Sequence, residues 1–279
     1  MHLLPDMALL WDKNLDSTYY YRSTILKDLI SAVTIASLPY ELMTGVTLDE
    51  YFIKTDKYNV KGFWEWKNNT VRVIEFPSSF HEDSAITTLG EFIKIFDRVN
   101  NTPARMKVSG ATRSRTHGGE MESFDLFLNL KCLAVDMMEW YEHQPWLNLI
   151  IQVAYAEEEL HLKNKVENYW LLPNRAHDVI AIKIDYIPNN AIPTEMTVSM
   201  ALLCEQPNSC WCARPVMYEF GTINRQGVPI SILPGQCVIN ISLECIYYEM
   251  PRNFVIPSPP LPNPIPIDLF EVRINVLNP

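Results

Sequence analysis

Apolar and polar residues alternate along much of the second half of the chain. In the segment CVINISLECIYY, every second residue from Ile239 to Tyr247 is hydrophobic or a cysteine. A period of two is typical of a strand with one buried face. The same alternation predicts four more strands, within Glu122–Cys132, Pro145–Tyr155, His177–Ile187 and Glu195–Leu203.

Weaker alternation closer to the N-terminus predicts further strands. These lie at Val46–Ile53, Tyr58–Trp66, Val71–Phe76 and Ala104–Ser109. The total is about ten strands, and turn-forming sequences such as KNN, PNN and PG separate many of them. Many strands with polar faces and few helices indicate an all-β fold, an antiparallel β-sandwich or barrel with long loops.

One segment between the early strands has helical spacing instead. Its hydrophobic residues are Ile86, Leu89, Phe92, Ile93, Phe96 and Val99. They predict a helix around Ser84–Val99, with Asp83 or Ser84 as its N-cap. We also expect a helix at Ser23–Ser31, and we interpret Ala156–Trp170 as a loop with a short helix.

A proline-rich segment precedes the C-terminus, and six of the ten residues from Pro257 to Pro266 are proline. Because proline cannot donate to a strand ladder, we expect a stiff spacer that extends up to about 3.1 Å per residue. Alternation then resumes and predicts a docking strand, Asp268–Val276. One face of this strand consists of Phe270, Val272, Ile274 and Val276. The edge that receives it belongs either to the same subunit or to a neighbour.

These patterns divide the chain into three parts. Residues 1–57 are expected to form an N-terminal arm, residues 58–250 a β-sandwich, and residues 251–279 a proline-rich strap with a final strand. No apolar run approaches the roughly 20 residues of a membrane-spanning helix. The N-terminal residues have no basic region like that of a signal peptide, so we expect the six cysteines to be free thiols.

Charge and glycine content exclude two broad classes of protein. The net charge of −10 argues against a protein that coats nucleic acid, because phosphate binding needs clustered Lys and Arg. Only 9 glycines argue against a phosphate-binding α/β fold with Gly-rich turns. One local basic cluster remains, formed by Arg105, Lys107, Arg113 and Arg115. Three interpretations of this cluster stay open: it contacts RNA phosphates, it contacts a neighbouring subunit, or it is solvated. The last two are favoured.

No residue set forms a recognisable catalytic or metal site. The segment CEQPNSCWC holds three cysteines, but its spacing is not that of a standard zinc knuckle. The six histidines are scattered, and no G-x-S-x-G motif occurs. Asp178 and Lys183 are an odd number of residues apart, so they point to opposite faces of a regular strand. We therefore expect no enzyme activity, no catalytic residue, no metal and no cofactor.

Three features carry a resemblance to a known family: the extended ends, the helix near Ser84–Val99 and four alternating strands. These strands are Leu147–Tyr155, Asp178–Ile187, Met196–Leu203 and Val238–Tyr248. Together they resemble the jelly-roll capsid proteins of picornavirus-like viruses, such as those that infect insects. The resemblance implies two packed four-stranded sheets and assembly with sister capsid proteins and copies of itself around an RNA genome. It also implies assembly in the host cytoplasm and residence in the virion. The negative charge limits any RNA contact to the basic cluster.

Two alternatives stay open. The first is a carbohydrate-binding β-sandwich module, in which Phe63, Trp64 and Trp66 stack on sugars. The alternation of Trp64 and Trp66 with Val60 favours core packing or an interface for these rings instead. The second alternative is an enzyme on a β scaffold, whose catalytic residues are distant in sequence.

Overall fold

A computed structural model describes the chain in twelve stretches. They are residues 38–58, 63–75, 79–97, 104–109, 112–115, 121–124, 126–132, 149–171, 176–187, 191–202, 216–247 and 261–278. The predicted helix Ser23–Ser31, the PNN turn and the CEQPNSCWC segment lie outside them, as do residues 1–37 of the predicted arm and residues 251–260 of the predicted strap. The prediction of free thiols at Cys132, Cys204, Cys210 and Cys212 therefore stays a prediction.

The strands are β1 Tyr40–Thr44, β2 Trp64–Lys67, β3 Thr70–Val73, β4 Ala104–Ser109, β5 Thr112–Arg115, β6 Met121–Phe124, β7 Leu126–Cys132, β8 Leu149–Ala154, β9 Asp178–Ile184, β10 Met196–Leu202, β11 Val216–Glu219, β12 Val238–Ile241 and β13 Ile265–Asp268. The helices are α1 Leu48–Tyr58, α2 Ser79–Asp97, α3 Glu159–Lys165, α4 Leu243–Ile246 and α5 Leu269–Leu277, and a π-helix, Val166–Trp170, continues α3. The fold is mostly β with a few short helices, as the alternation predicts.

The strands form three sheets. The five-stranded sheet has the order β1-β3-β2-β6-β5, the six-stranded sheet has the order β11-β10-β9-β8-β7-β4, and β12 pairs with β13. In the five-stranded sheet, β2 and β3 form a hairpin whose turn residues Asn68 and Asn69 have φ values of 53° and 58°. Positive φ at both positions suits a two-residue hairpin turn, so the predicted KNN turn is confirmed.

The six-stranded sheet is mixed. Strands β8 and β9 are parallel, with Leu149 opposite Asp178 and Val153 opposite Ile182. The expectation that all strands pair antiparallel is therefore wrong for this pair. Parallel neighbours need a crossover connection, and α3 with the π-helix supplies it. The stretch Ala156–Trp170 is thus more helical than a loop with a short helix.

The parallel pair is covered on both faces. Ile151 and Val153 of β8 face a core that α2, α5 and the two-stranded sheet complete. Ile150 and Ala154 face a second core with the π-helix, where Trp170 is fully buried. The prediction of one polar face is wrong for these strands, since parallel strands in a crossover unit are buried on both sides.

Part of the predicted N-terminal arm belongs to the folded region. Residues 38–58 supply β1 and α1, and β1 pairs with β3. The strand predicted at Val46–Ile53 is wrong, because α1 occupies most of that range. At the start of α1, the Glu50 carboxylate accepts a hydrogen bond from the Thr47 N–H, and the Thr47 hydroxyl oxygen accepts one from the Glu50 N–H. This reciprocal pair is a capping box.

The predicted docking strand Asp268–Val276 is a helix. The Asp268 side chain accepts a hydrogen bond from the Phe270 N–H at 3.0 Å and caps α5. Leu269, Val272 and Val276 are buried, which is helical rather than alternating spacing. Phe270 and Ile274, predicted to share the face of Val272, lie elsewhere on the helix. The strand that does dock is β13, and it pairs with β12 of the same chain.

Two other boundaries differ from the sequence prediction. The predicted strand Val238–Tyr248 ends at Ile241, because Ser242 caps α4 by accepting a hydrogen bond from the Glu244 N–H. Helix α2 begins at Ser79, so neither Asp83 nor Ser84 is its N-cap. The Ser84 hydroxyl instead donates to the Phe80 carbonyl within the helix.

Candidate functional site

A group of charged side chains lies at the carboxyl end of the parallel pair. After β8 the chain passes through Tyr155, Ala156 and Glu157 before it enters α3. In open α/β sheets, ligands bind outside the carboxyl ends of parallel strands. We name the group formed by Glu65, Glu75, Glu157, His161, Lys165 and Lys183 the carboxyl-end network.

Glu75 anchors the turn that follows β8. Its buried carboxylate accepts hydrogen bonds from three consecutive backbone N–H groups, those of Tyr155 at 2.6 Å, Ala156 at 2.8 Å and Glu157 at 3.1 Å. Successive N–H groups that converge on one point form an anion-binding nest. The anion here belongs to the protein itself, so Glu75 ties the five-stranded sheet region to the end of β8.

Glu157 is the centre of the ion pairs. Its Oε1 atom lies 2.5 Å from His161 Nδ1 and 2.9 Å from Lys165 Nζ. The other ring nitrogen, Nε2 of His161, lies 3.4 Å from Glu65 Oε2. Two carboxylates and two cationic side chains therefore alternate, and their formal charges cancel.

The electrostatics of this group follow from burial and pairing. Burial opposes the ionisation of Glu157, but the Lys165 ammonium and the His161 hydrogen bond outweigh it and lower the pKa of Glu157 to about 2. Burial also opposes the imidazolium of His161, yet hydrogen bonds to Glu157 and Glu65 raise its pKa to about 9. The pKa of Glu65 is lowered by His161 against the effect of burial. Glu157, Glu65 and His161 are therefore charged at neutral pH.

The Oε2 atom of Glu157 has no hydrogen-bond partner among the described residues, although the side chain is only 2% exposed. A buried carboxylate oxygen without a partner costs free energy, so a water or a small cation is the occupant that would satisfy it. His161, with 21% of its side chain exposed, lies between this interior and solvent.

Lys183 is the member of the network that belongs to β9. Its ammonium donates to the carbonyls of Tyr155 at 2.6 Å and Ile184 at 3.0 Å, and burial lowers its pKa. Asp178 lies at the opposite end of β9, where it contacts His177. Asp178 and Lys183 therefore do not share a site, as their odd separation predicts.

A second cluster lies at the amino end of β9. Atoms of His177, Asp178 and Cys245 that can bind a metal all lie within 4.8 Å of one another, and the three residues are buried. Cys245 is disulfide-bonded, so the prediction of a free thiol is wrong there. Cys237 is free and buried, and burial raises its pKa to about 11. We name His177, Asp178 and Cys245 the amino-end cluster.

The basic residues predicted to meet RNA or a subunit lie on two different sheets. Arg105 and Lys107 are in β4, at one edge of the six-stranded sheet. Arg113 and Arg115 are in β5, at one edge of the five-stranded sheet. The four residues therefore lie on the edge strands of two different sheets. Their contact with RNA or with a subunit stays a prediction.

The aromatic residues considered as a sugar platform are buried. Phe63, Trp64 and Trp66 are 7%, 5% and 9% exposed and belong to the core of the five-stranded sheet. The Trp66 indole N–H donates to the Val46 carbonyl at 2.8 Å. The alternation of these residues predicted core packing, and that interpretation is confirmed.

Neither polar cluster was predicted as a site. Glu65, Glu75, Glu157 and His161 are far apart in the sequence or carry no motif. His161 and Lys165 do follow Glu157 at helical intervals of four, which is a signal for ion pairs on one helix face.

No protein-family model and no curated protein matches the chain. Across the stretches that the structure describes, no helix combines the length and apolar character needed to cross a membrane.

Proposed function

We propose that the chain is a non-catalytic structural protein that acts by assembling with copies of itself or with partner chains. The observation that carries this proposal is the charge balance of the carboxyl-end network. Glu157 and Glu65 are paired with His161 and Lys165, and Glu75 is satisfied by backbone N–H groups. These groups hold sheets and helices together rather than face a substrate.

His161 is poorly suited to act as a general base. A general base works best when its pKa is near the working pH. The pKa of His161 is raised to about 9, so the ring is protonated at neutral pH and cannot accept a proton. Its two nitrogens are also occupied by Glu157 and Glu65.

The edge strand β11 is the surface that favours assembly. It ends the six-stranded sheet, and no strand in the described part of the chain pairs with its outer edge. Val216 and Met217 are 54% and 45% exposed on this strand. An exposed apolar edge is a template for pairing with another chain.

The capsid role is the specific form of this proposal that the sequence resemblance suggests. Exposed sheet edges favour it. The jelly-roll arrangement has less support, because a jelly roll pairs its strands antiparallel whereas β8 and β9 are parallel. The lectin-like alternative loses its main support, since the tryptophans expected to stack on sugars are buried.

A second candidate function is cation-assisted chemistry at the carboxyl end of β8. The unpartnered Oε2 of Glu157 favours it, as does the position of that residue beside the parallel strands. Thermal shifts with Mg²⁺ and Mn²⁺ test this candidate. A stabilisation by either ion that disappears in Glu157→Gln would support it, and no shift with either ion would remove it.

Electron microscopy and light scattering of the purified chain over a range of salt concentrations test assembly. We expect large particles or oligomers. The double variant Val216→Lys/Met217→Lys should weaken association at least tenfold, because two charges then line the edge. Ile86→Lys on α2, which alters a residue that is 63% exposed, is the matched control and should associate like the wild type.

Monomers at every salt concentration, with no partner chains in the native material, would overturn the proposal. If the double variant still associates, the interface lies elsewhere than β11, and the proposed structural role is unaffected.

A further inference from the structure

Hydrogen bonds at the end of β11 show which of its backbone groups point out of the sheet. β11 pairs antiparallel with β10. The Phe220 N–H, one residue beyond β11, donates to the Met196 carbonyl at 2.9 Å, in the register of the strand pair. Because backbone groups alternate in direction along an antiparallel strand, Tyr218 also bonds toward β10, and the N–H and C=O groups of Met217 and Glu219 point outward.

These outward groups of β11 are open to another strand. Among the described residues, no group bonds to the outward N–H or C=O of Met217 or Glu219. The next outward residue is Gly221, whose carbonyl accepts a hydrogen bond from the Arg273 side chain of α5 at 3.2 Å. The open edge is therefore short and consists of four backbone groups from two residues.

Apolar side chains accompany the open groups on both faces of β11. Val216 is 54% exposed and lies on the face of Tyr218, which packs against the core shared with α2 and α5. Met217, on the opposite face, is 45% exposed. Glu219 carries the only charge in the strand. An edge with open backbone groups and exposed apolar side chains is a template for pairing with another strand.

A second copy can pair with this edge in three antiparallel, two-fold symmetric registers that bring outward groups together. A register centred on Met217 sets Glu219 opposite Pro215 of the copy, which has no N–H to donate. A register centred on Glu219 sets two like charges directly opposite each other, which is destabilising. It also sets Met217 opposite Gly221, whose carbonyl is already bonded.

The register centred on Tyr218 avoids these problems. It sets Met217 of each copy opposite Glu219 of the other, so that their open N–H and C=O groups form hydrogen bonds across the two-fold axis. Each Glu219 carboxylate then lies opposite an uncharged side chain. The two Tyr218 side chains become direct neighbours, and aromatic cross-strand pairs are favourable. This self-complementarity in backbone groups and charge favours a second copy of the chain as the occupant of the edge.

We propose that two copies of the chain associate through β11 in the antiparallel register centred on Tyr218, so that the six-stranded sheet continues from one copy into the other. This inference rests on the proposed assembly function and adds the partner, the symmetry and the register of the β11 contact. Both copies use the same surface, so the contact closes after two chains. Larger particles are then built from such dimers through other surfaces.

Cysteine cross-linking of the full-length chain tests the register. Opposite residues of a non-hydrogen-bonded pair have Cα atoms about 4.5 Å apart, which is within the range of a disulfide. Under mild oxidation, Tyr218→Cys should therefore form a covalent dimer. Mass spectrometry of its peptides should identify a link between the two introduced cysteines. The wild type, treated in the same way, shows what the native cysteines contribute.

Val216→Cys is the matched control, because Val216 lies on the same face of the same strand. In the proposed register the two copies of residue 216 are separated by four residues along the strands, or about 14 Å, which is too far for a disulfide. This variant should give at least tenfold less dimer linked at the introduced cysteine than Tyr218→Cys gives.

Amide hydrogen exchange in the wild type supplies a readout that needs no substitution. The N–H groups of Met217 and Glu219 should exchange at least tenfold more slowly in the associated chain than in the dilute monomer. The N–H of Tyr218, which points toward β10 within the chain, should change by less. If Tyr218→Cys does not fold, this readout alone decides.

The proposal is overturned if folded, associated Tyr218→Cys gives no more linked dimer than Val216→Cys, or if the amides of Met217 and Glu219 gain no protection on association. In either case the chain assembles through another surface, and the proposed function stands. A chain that is monomeric at every concentration rules out this dimer, and without partner chains in the native material the proposed function fails as well.

Discussion

The two ends of β9 carry polar clusters that are built differently. At the carboxyl end, carboxylates alternate with His161 and Lys165, and backbone N–H groups satisfy Glu75. At the amino end, His177 and Asp178 meet the sulfur of Cys245. The first cluster is neutralised by the protein's own cations, whereas the second presents the side chains that a metal ion prefers.

This difference shows that burial alone does not indicate a site. Both clusters lie in the interior, but a charge-balanced group has its charges paired within the protein and stabilises the fold only if it stays intact. A group of imidazole, carboxylate and sulfur depends instead on the state of the sulfur. Substitutions at the two ends should therefore have different costs, and a disulfide reductant should act at the amino end, where Cys245 is disulfide-bonded.

The largest effect is expected for Glu75→Ala. Its removal leaves three buried N–H groups, those of Tyr155, Ala156 and Glu157, without their acceptor. Each loss costs about 1–3 kcal/mol, so the free energy of unfolding should fall by at least about 3 kcal/mol. Urea denaturation measures it. Glu75→Gln keeps one acceptor oxygen and should cost less, and equal costs for the two variants would contradict this role.

A somewhat smaller loss is expected for Lys165→Met. The substitution removes one of the two cations beside the buried carboxylate of Glu157 and should lower the free energy of unfolding by about 3 kcal/mol. Lys163→Met is the control, because that ammonium is 61% exposed and 3.9 Å from Glu167. The control should change stability by less than about 0.5 kcal/mol, since exposed helix pairs contribute little. If both substitutions lower the free energy of unfolding by a similar amount, the buried pair of Lys165 and Glu157 contributes no more than an exposed pair.

The pH dependence of stability should reflect the same network. The pKa of Glu157 is lowered from 4.5 to about 2, so its contribution is complete above pH 4.5 and is lost as pH falls toward 2. The pKa of His161 is raised from 6.5 to about 9, so its contribution is complete below pH 6.5 and is lost as pH rises through 9. Stability from this pair should be greatest between pH 4.5 and 6.5.

Denaturation curves collected from pH 3 to 10 check this profile. In His161→Gln the decline between pH 6.5 and 9 should disappear, because no imidazole is left to deprotonate there. A decline that persists unchanged in this variant would assign it to another group.

The smallest effect is expected for Asp178→Asn in the oxidised, metal-free chain. Asparagine keeps an oxygen near His177 Nδ1, so the cost should be about 1 kcal/mol. Urea denaturation of the oxidised chain measures this cost, and a loss as large as that expected for Lys165→Met would contradict the ranking of the two ends.

Local signals could have corrected two of the wrong element predictions. Glu50 lies three residues after Thr47, and Glu271 lies three residues after Asp268. This spacing resembles the start of a capped helix. In each case the alternation of the following residues was compatible with a strand. The capping residue decides between the two readings, since it satisfies the first N–H groups of a helix.

The contact of Glu75 with the end of β8 had no comparable signal. Glu75 and Tyr155 are about 80 residues apart, and only the packing of two sheets brings them together. His177 and Asp178 are adjacent, yet the sulfur that joins them comes from α4. A cluster assembled across long sequence separations leaves no spacing pattern in the chain.

The sequence by itself determined where many strands lie, as in Ala104–Ser109, Asp178–Ile184 and Met196–Leu202, because side-chain alternation is a local property of the backbone. Tertiary structure decided how the strands pair, which faces are buried and which charged groups meet. The parallel pairing of β8 and β9 is the clearest case. Alternation is the same in either direction, and only the crossover through α3 and the cores on both faces select the parallel arrangement.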